Sequence, residues 1–118
     1  MISNGFDVIM TRETDVAIYD SNSASKKRSD LQNRVDIFNS SNNNVVISIH
    51  QNKFAQSQYS GTQVFYSANN SDSAQLAEDI RHSVVSLLQK DNERQCKKAG
   101  SEIFVLDMGD PVKITTLA

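Results

Sequence analysis

Four short apolar runs punctuate a mostly polar chain: Phe6 to Met10, Val45 to Ile49, Thr62 to Ser67 and Ile103 to Leu106. Each has the length of a strand and is bounded by polar or turn-forming residues. Val45, Val46, Ile47 and Ile49 are β-branched and nearly continuous, which predicts a strand buried on both faces, as in a parallel sheet covered by helices. In the third run Val64 and Tyr66 alternate with Gln63 and Phe65.

Two other stretches carry helical spacing. Leu31, Val35 and Phe38, with Ile37 beside them, mark a helix capped by Ser29 or Asp30 and ending in the Asn-rich run Ser40 to Asn44. Leu76, Ile80, Val84, Leu87 and Leu88 mark a longer one, capped by Asp72 or Ser73 after the turn Asn69-Asn70-Ser71. His82 lies on that helix at a solvated angle. Asp20 to Ser29 is polar and without periodicity, so it reads as a surface loop, and Gln89 to Ser101 as a charged connection.

The order strand, helix, strand, strand, helix, strand predicts an α/β fold of three layers, α/β/α, around a central mixed and mainly parallel sheet. Gly5 suits the left-handed position just past a helix end, yet nothing ahead of it supplies that helix. Residues 1–118 therefore read as a partial domain.

Composition narrows the function classes. The chain has 118 residues, 38% of them hydrophobic, and a net charge of -2. That length suits one domain. The charge leaves no basic footprint for nucleic acid, and Lys26-Lys27-Arg28 and Lys97-Lys98 are short clusters. No run is long enough for a membrane span, and Met1 to Gly5 does not resemble a secretory signal. Cys96 is the single cysteine, which excludes an internal disulfide and a thiolate zinc cluster. Oligomeric state is left open.

The chemistry gathers at His50. It follows the apolar run Val45 to Ile49 and so falls at the carboxyl end of a strand, the edge at which open α/β sheets bind ligands. Imidazole is a versatile metal ligand, but a lone His at a strand end is more often a hydrogen-bonded structural residue than a ligand. Spacing alone does not choose between them.

Four blocks taken together do. Asn4-Gly5-Phe6-Asp7-Val8-Ile9-Met10-Thr11-Arg12-Glu13-Thr14-Asp15, then Arg28 to Asn39, then Ser48-Ile49-His50-Gln51-Asn52, then Gly61 to Ser67 resemble, in order, the zinc-dependent N-acetylmuramoyl-L-alanine amidases of the amidase-3 type. The resemblance reaches to about Leu106. It implies a peptidoglycan hydrolase cleaving the amide between N-acetylmuramic acid and the L-alanine of the stem peptide, working in the cell envelope or outside the cell. It implies zinc held by two His and one Glu, with His50 as the last ligand and with Ser48 and Asn52 placed to orient it. Such a metal leaves a site for water, lowers that water's pKa and polarises the scissile carbonyl, while a separate Glu moves the proton.

The chain also departs from the family pattern. The first zinc His, in a Gly-His-Gly-Gly turn, and the zinc Glu belong upstream of Met1. The catalytic Glu belongs in a Pro-x-x-Leu-x-Glu block, and matching Pro111 to that proline puts Thr116 in its place. The expectation is a partial amidase domain, inactive as written, lacking the opening strand and helix and the closing Glu segment. A muropeptide-binding module without catalysis, and a remnant without function, are the competing readings. Arg12, Asp15, Arg28 and Arg34 are expected to brace loops and helix ends by hydrogen bonding.

Overall fold

A computed structural model describes residues 4–41, 43–50, 61–107 and 112–117. In chain order these form α1 (Lys26–Phe38), β1 (Val45–His50), β2 (Gln63–Tyr66), α2 (Asp72–Leu87), β3 (Lys97–Lys98), α3 (Phe104–Asp107) and β4 (Val112–Leu117). The sheet order is β1-β4-β2-β3. β1 runs parallel to β4, β2 parallel to β3, and β2 antiparallel to β4. The sheet is mixed and mainly parallel, as the apolar pattern predicted.

Helices lie on both of its faces. Side chains alternate along a strand, so Val64 and Tyr66 share one face, and there Val64 packs on Ala77 of α2 with Leu76, Ile80 and Cys96 around it. Ser67, in step with Gln63 and Phe65, points to the opposite face. Its hydroxyl donates to the Leu106 carbonyl of α3 at 2.7 Å, and α3 packs against α1. The arrangement is α2, sheet, then α1 with α3.

Helix α1 starts earlier than its apolar spacing suggests. Ser25, in extended conformation, caps it by accepting from Arg28 N. Lys26 to Ser29 therefore belong to the helix rather than to a loop. Ser29 and Asp30, expected as caps, serve the preceding segment instead: Ser29 Oγ accepts from Asp20 N and Asp30 Oδ1 from Ile18 N, both at 2.7 Å. Val35 is buried on the predicted face, and at the far end Asn44 Nδ2 donates to the Phe38 carbonyl. At α2 the cap position is Ser71, without a side-chain cap bond, and Asn70 Oδ1 accepts from Asp72 N.

Three apolar runs behave differently from expectation. Phe6 to Met10 is not a strand, and Phe6, Ile9 and Met10 are exposed, because no described strand runs beside them to satisfy their backbone or cover their side chains. Ile103 to Leu106 is mostly the helical turn α3. A four-residue apolar run fits either state, and here Ser67 and Asn69 Nδ2 satisfy the terminal carbonyls of Leu106 and Asp107. Leu87 and Leu88, expected on the apolar face of α2, are 77% and 79% exposed at its carboxyl end.

β1 is an edge strand and is not buried on both faces. Val46 is 6% exposed, whereas Val45 and Ile49 are 62% and 75% exposed. α2 packs over β2 and β4 and stops short of β1. The two edges of the sheet contrast. β3 has two residues, both lysines, a common guard against further pairing, while β1 is six residues of Val, Ile, Ser and His with no charged side chain.

Asp30 gives the fold a pH-sensitive brace. Arg34 Nε donates to Asp30 Oδ2 at 2.7 Å and Arg34 Nη1 to Thr11 Oγ1 at 3.3 Å, tying the incoming segment to α1. The Arg34 hydrogen bond is the largest cause holding the Asp30 carboxyl below its ordinary range, with the Ile18 amide helping and burial opposing. A depressed carboxylate pKa contributes stability above the unfolded value of about 3.9, and that contribution fades as pH falls through the folded value. Asp30→Asn should therefore cost about 0.5–1.5 kcal/mol at neutral pH and flatten the acid limb of the stability curve, as read by denaturant titration from neutral to acid pH.

Candidate functional site

β1 places its last residue, His50, at the carboxyl end of the strand, where its register partner in β4 is Leu117. Leu117 pairs in turn with Gln63 of β2. His50, Leu117 and Gln63 thus form one row across three strands. Thr116 pairs with Ile49 on one side and Val64 on the other, one step before the His50 pair. Sequence reasoning assigned Val112 to Leu117 no strand, although Val112, Ile114, Thr115 and Thr116 are β-branched and suit one; the structure places the run between β1 and β2.

His50 is exposed and Ser48 half-buried. Residues two apart on a strand share a face, and Ser48 Oγ sits 2.9 Å from His50 Nε2. Asn52 lies outside the described residues, as does the rest of 51–60. Where the chain resumes, a polar clasp fixes it: Thr62 N donates to Gln89 Oε1, Asn92 Nδ2 to the Thr62 carbonyl and to Gln89 Oε1, and Arg94 Nη1 to the Gly61 carbonyl. Gln63 Nε2 donates to the Gln95 carbonyl. Sequence reasoning took Gln89 to Ser101 for a plain charged connection and missed this clasp, since amide side chains carry no periodic signal.

Gly61 is required by that clasp. Its φ is +98°, and an added Cβ would lie 2.9 Å from Asn92 Cγ. Asn92 cannot retreat without releasing Thr62 and Gln89. Gly61→Ala should lose about 1–3 kcal/mol, measured by chemical denaturation, and Asn92→Ala in the same chain should recover part of it by removing the clash.

The other candidate residues sort into bracing roles. Arg34 braces α1 as described. The Arg12–Asp15 pair, at 3.7 Å with Asp15 fully exposed, adds little. Arg28 contributes its backbone N–H to the Ser25 cap. His82 is exposed, as its position on the helix predicted. Cys96 is remote from His50 along the chain and its thiol is pushed up to about 11, first by burial and then by its hydrogen bond to Glu78. It is a poor nucleophile at neutral pH.

Zinc sites of the catalytic kind take three protein ligands and leave one position for water. Among the described residues no three His, Cys, Asp or Glu side chains come together to hold a metal ion. His50 contributes one imidazole, and its near neighbour is a hydroxyl. The described donor set does not fit a resident zinc.

The chain belongs to the N-acetylmuramoyl-L-alanine amidase family, whose sequence pattern matches residues 1–112. It is also similar in structure, with a TM-score of 0.89 and 32% identity, to the CwlD amidase from Clostridioides difficile, solved in complex with the GerS lipoprotein. The superposition covers 99% of this chain but 61% of that one, so the chain spans under two thirds of its structural relative. No curated protein matches it. Among the described residues no helix is long and apolar enough to cross a membrane.

Proposed function

We propose that this chain supplies the His50 side of a zinc-dependent peptidoglycan amidase domain, acting in the cell envelope or outside the cell on the amide between N-acetylmuramic acid and L-alanine. The observation that supports this is the placement of His50, exposed at the carboxyl end of β1, within a chain of the amidase family. In the complete domain zinc would supply activated water and carbonyl polarisation. The described residues bring one imidazole to this edge, and if Pro111 is matched to the family's proline Thr116 stands where the carboxylate base is expected. On that reading the chain as written does not cleave.

Two features of the fold leave room for a further strand. Among the described strands β1 stands at the edge, with Val45 and Ile49 exposed. Phe6 to Met10 has the pattern of a strand but no strand partner among the described residues.

Calorimetric titration with zinc tests the reading of the site. The chain is expected to bind no more tightly than a single surface imidazole, because affinity in such sites comes from three or four ligands acting together. Stoichiometric binding at micromolar affinity or better, lost in His50→Ala, would show that other side chains complete the site.

A further inference from the structure

We propose that residues 11–20 form a strap that opens from α1 as one unit while α1 and the sheet stay folded. The way the strap is held is the basis. Ile18 donates its backbone N–H to Asp30 Oδ1 at 2.7 Å, and its carbonyl accepts from Asn33 Nδ2. Asp20 donates its N–H to Ser29 Oγ at 2.7 Å, and its carboxylate accepts from the same Asn33 amide at 3.3 Å. Arg34 Nη1 donates to Thr11 Oγ1 at 3.3 Å, and Lys26 Nζ lies 5.2 Å from the centroid of the Tyr19 ring.

Ser29, Asp30, Asn33 and Arg34 are spaced one and four apart on α1 and so share a face. That face satisfies both backbone groups of Ile18, the role a neighbouring strand plays in a sheet. The ties are also linked to one another. Asn33 serves Ile18 and Asp20 together, while Asp30 serves Ile18 and is itself held by Arg34, which holds Thr11. Losing one tie therefore loosens the rest.

The strap buries little apolar surface. Of residues 11–20 only Thr11 and Ile18 are half-buried; the others are exposed, Val16 at 62%. The buried apolar residues Val35, Val46, Val64, Ala77, Ala99 and Leu106 all lie outside it. Release exchanges polar contacts for water and uncovers little hydrocarbon, which is the character of segments that open well below the cost of global unfolding. A pivot is already present. The turn from Asp20 to Ser23 is closed by its own backbone, Ser23 N donating to the Asp20 carbonyl at 3.0 Å, and Ser25 caps α1 independently of the seated strap.

Residue-resolved hydrogen exchange on the full chain tests this. The Ile18 and Asp20 amides should share one opening equilibrium and be less protected than Thr62 N, bonded to Gln89, and Ala99 N, bonded to the Tyr66 carbonyl. Two variants cross the ties. Asp30→Ala removes the acceptor for Ile18 and Ser29→Ala the acceptor for Asp20, and alanine suits the helix at both positions. Each should lower the protection of both strap amides by roughly two- to tenfold and leave Thr62 and Ala99 unchanged. Loss at Ile18 without loss at Asp20 in Asp30→Ala would show independent ties and no unit. Strap amides as protected as Ala99 in the parent chain, or all four amides falling together in the variants, would show that the strap opens only with the whole fold. Either result would overturn the proposal, and neither depends on a metal or on His50.

Discussion

Purified peptidoglycan incubated with this chain and added zinc is expected to release no L-alanine-headed peptides. Two losses combine to give that result. Positioned acid–base catalysis contributes about 10²- to 10⁴-fold, and Thr116 has no carboxylate to provide it. Metal catalysis requires a ligand set, and among the described residues no three His, Cys, Asp or Glu side chains come together to form one. Either loss alone would be severe. A longer chain that restores the upstream His and Glu and carries Glu at position 116 should release the peptides, identified by mass spectrometry of the soluble products. Release by the chain as it stands, abolished by a chelator and by His50→Ala, would overturn the inactive reading. Binding of muropeptide without release would favour the binding-module reading instead.

The second large effect is on the folded state itself. A six-residue strand with no charge at the edge of the described sheet, with Val45 and Ile49 exposed within it, offers apolar surface worth roughly 25 cal/mol per Å² to whatever covers it. In isolation the chain should associate through this edge or melt at low temperature over a broad range. Size-exclusion chromatography with light scattering and a thermal melt followed by circular dichroism measure both. Ile49→Lys, which puts on β1 the kind of guard that Lys97 and Lys98 put on β3, should shift the chain toward monomer. A monomeric parent chain with a sharp, cooperative melt at high temperature would show that the four strands and their helices close a core unaided.

Much of the fold was legible in the sequence where local pattern and tertiary environment agree. The spacing of Leu31, Val35 and Phe38 placed α1. The alternation around Val64 and Tyr66 placed β2, and the β-branched run Val45 to Ile49 placed β1 with His50 at its end. These signals are strong because a buried face imposes its period on the residues that make it. The position of His50 at the strand's carboxyl end was likewise readable, from the apolar run before it.

Other features depended on partners far away in sequence. Phe6 to Met10 carries a strand's pattern, yet a strand exists only where a neighbour accepts its hydrogen bonds. Ile103 to Leu106 was too short for its period to decide, and side chains from Ser67 and Asn69 closed it as a helical turn. Val112 to Leu117 has the β-branched content of a strand, but its place between β1 and β2 comes from pairing on both edges. The Ser48–His50 contact combines both levels. The sequence determined that the two residues share a face of one strand, through a period of two that is intrinsic to the backbone. Only the tertiary structure decided that Ser48 is half-buried while His50 is exposed at the end of its strand, because that depends on where β4 pairs and where the covering helices stop.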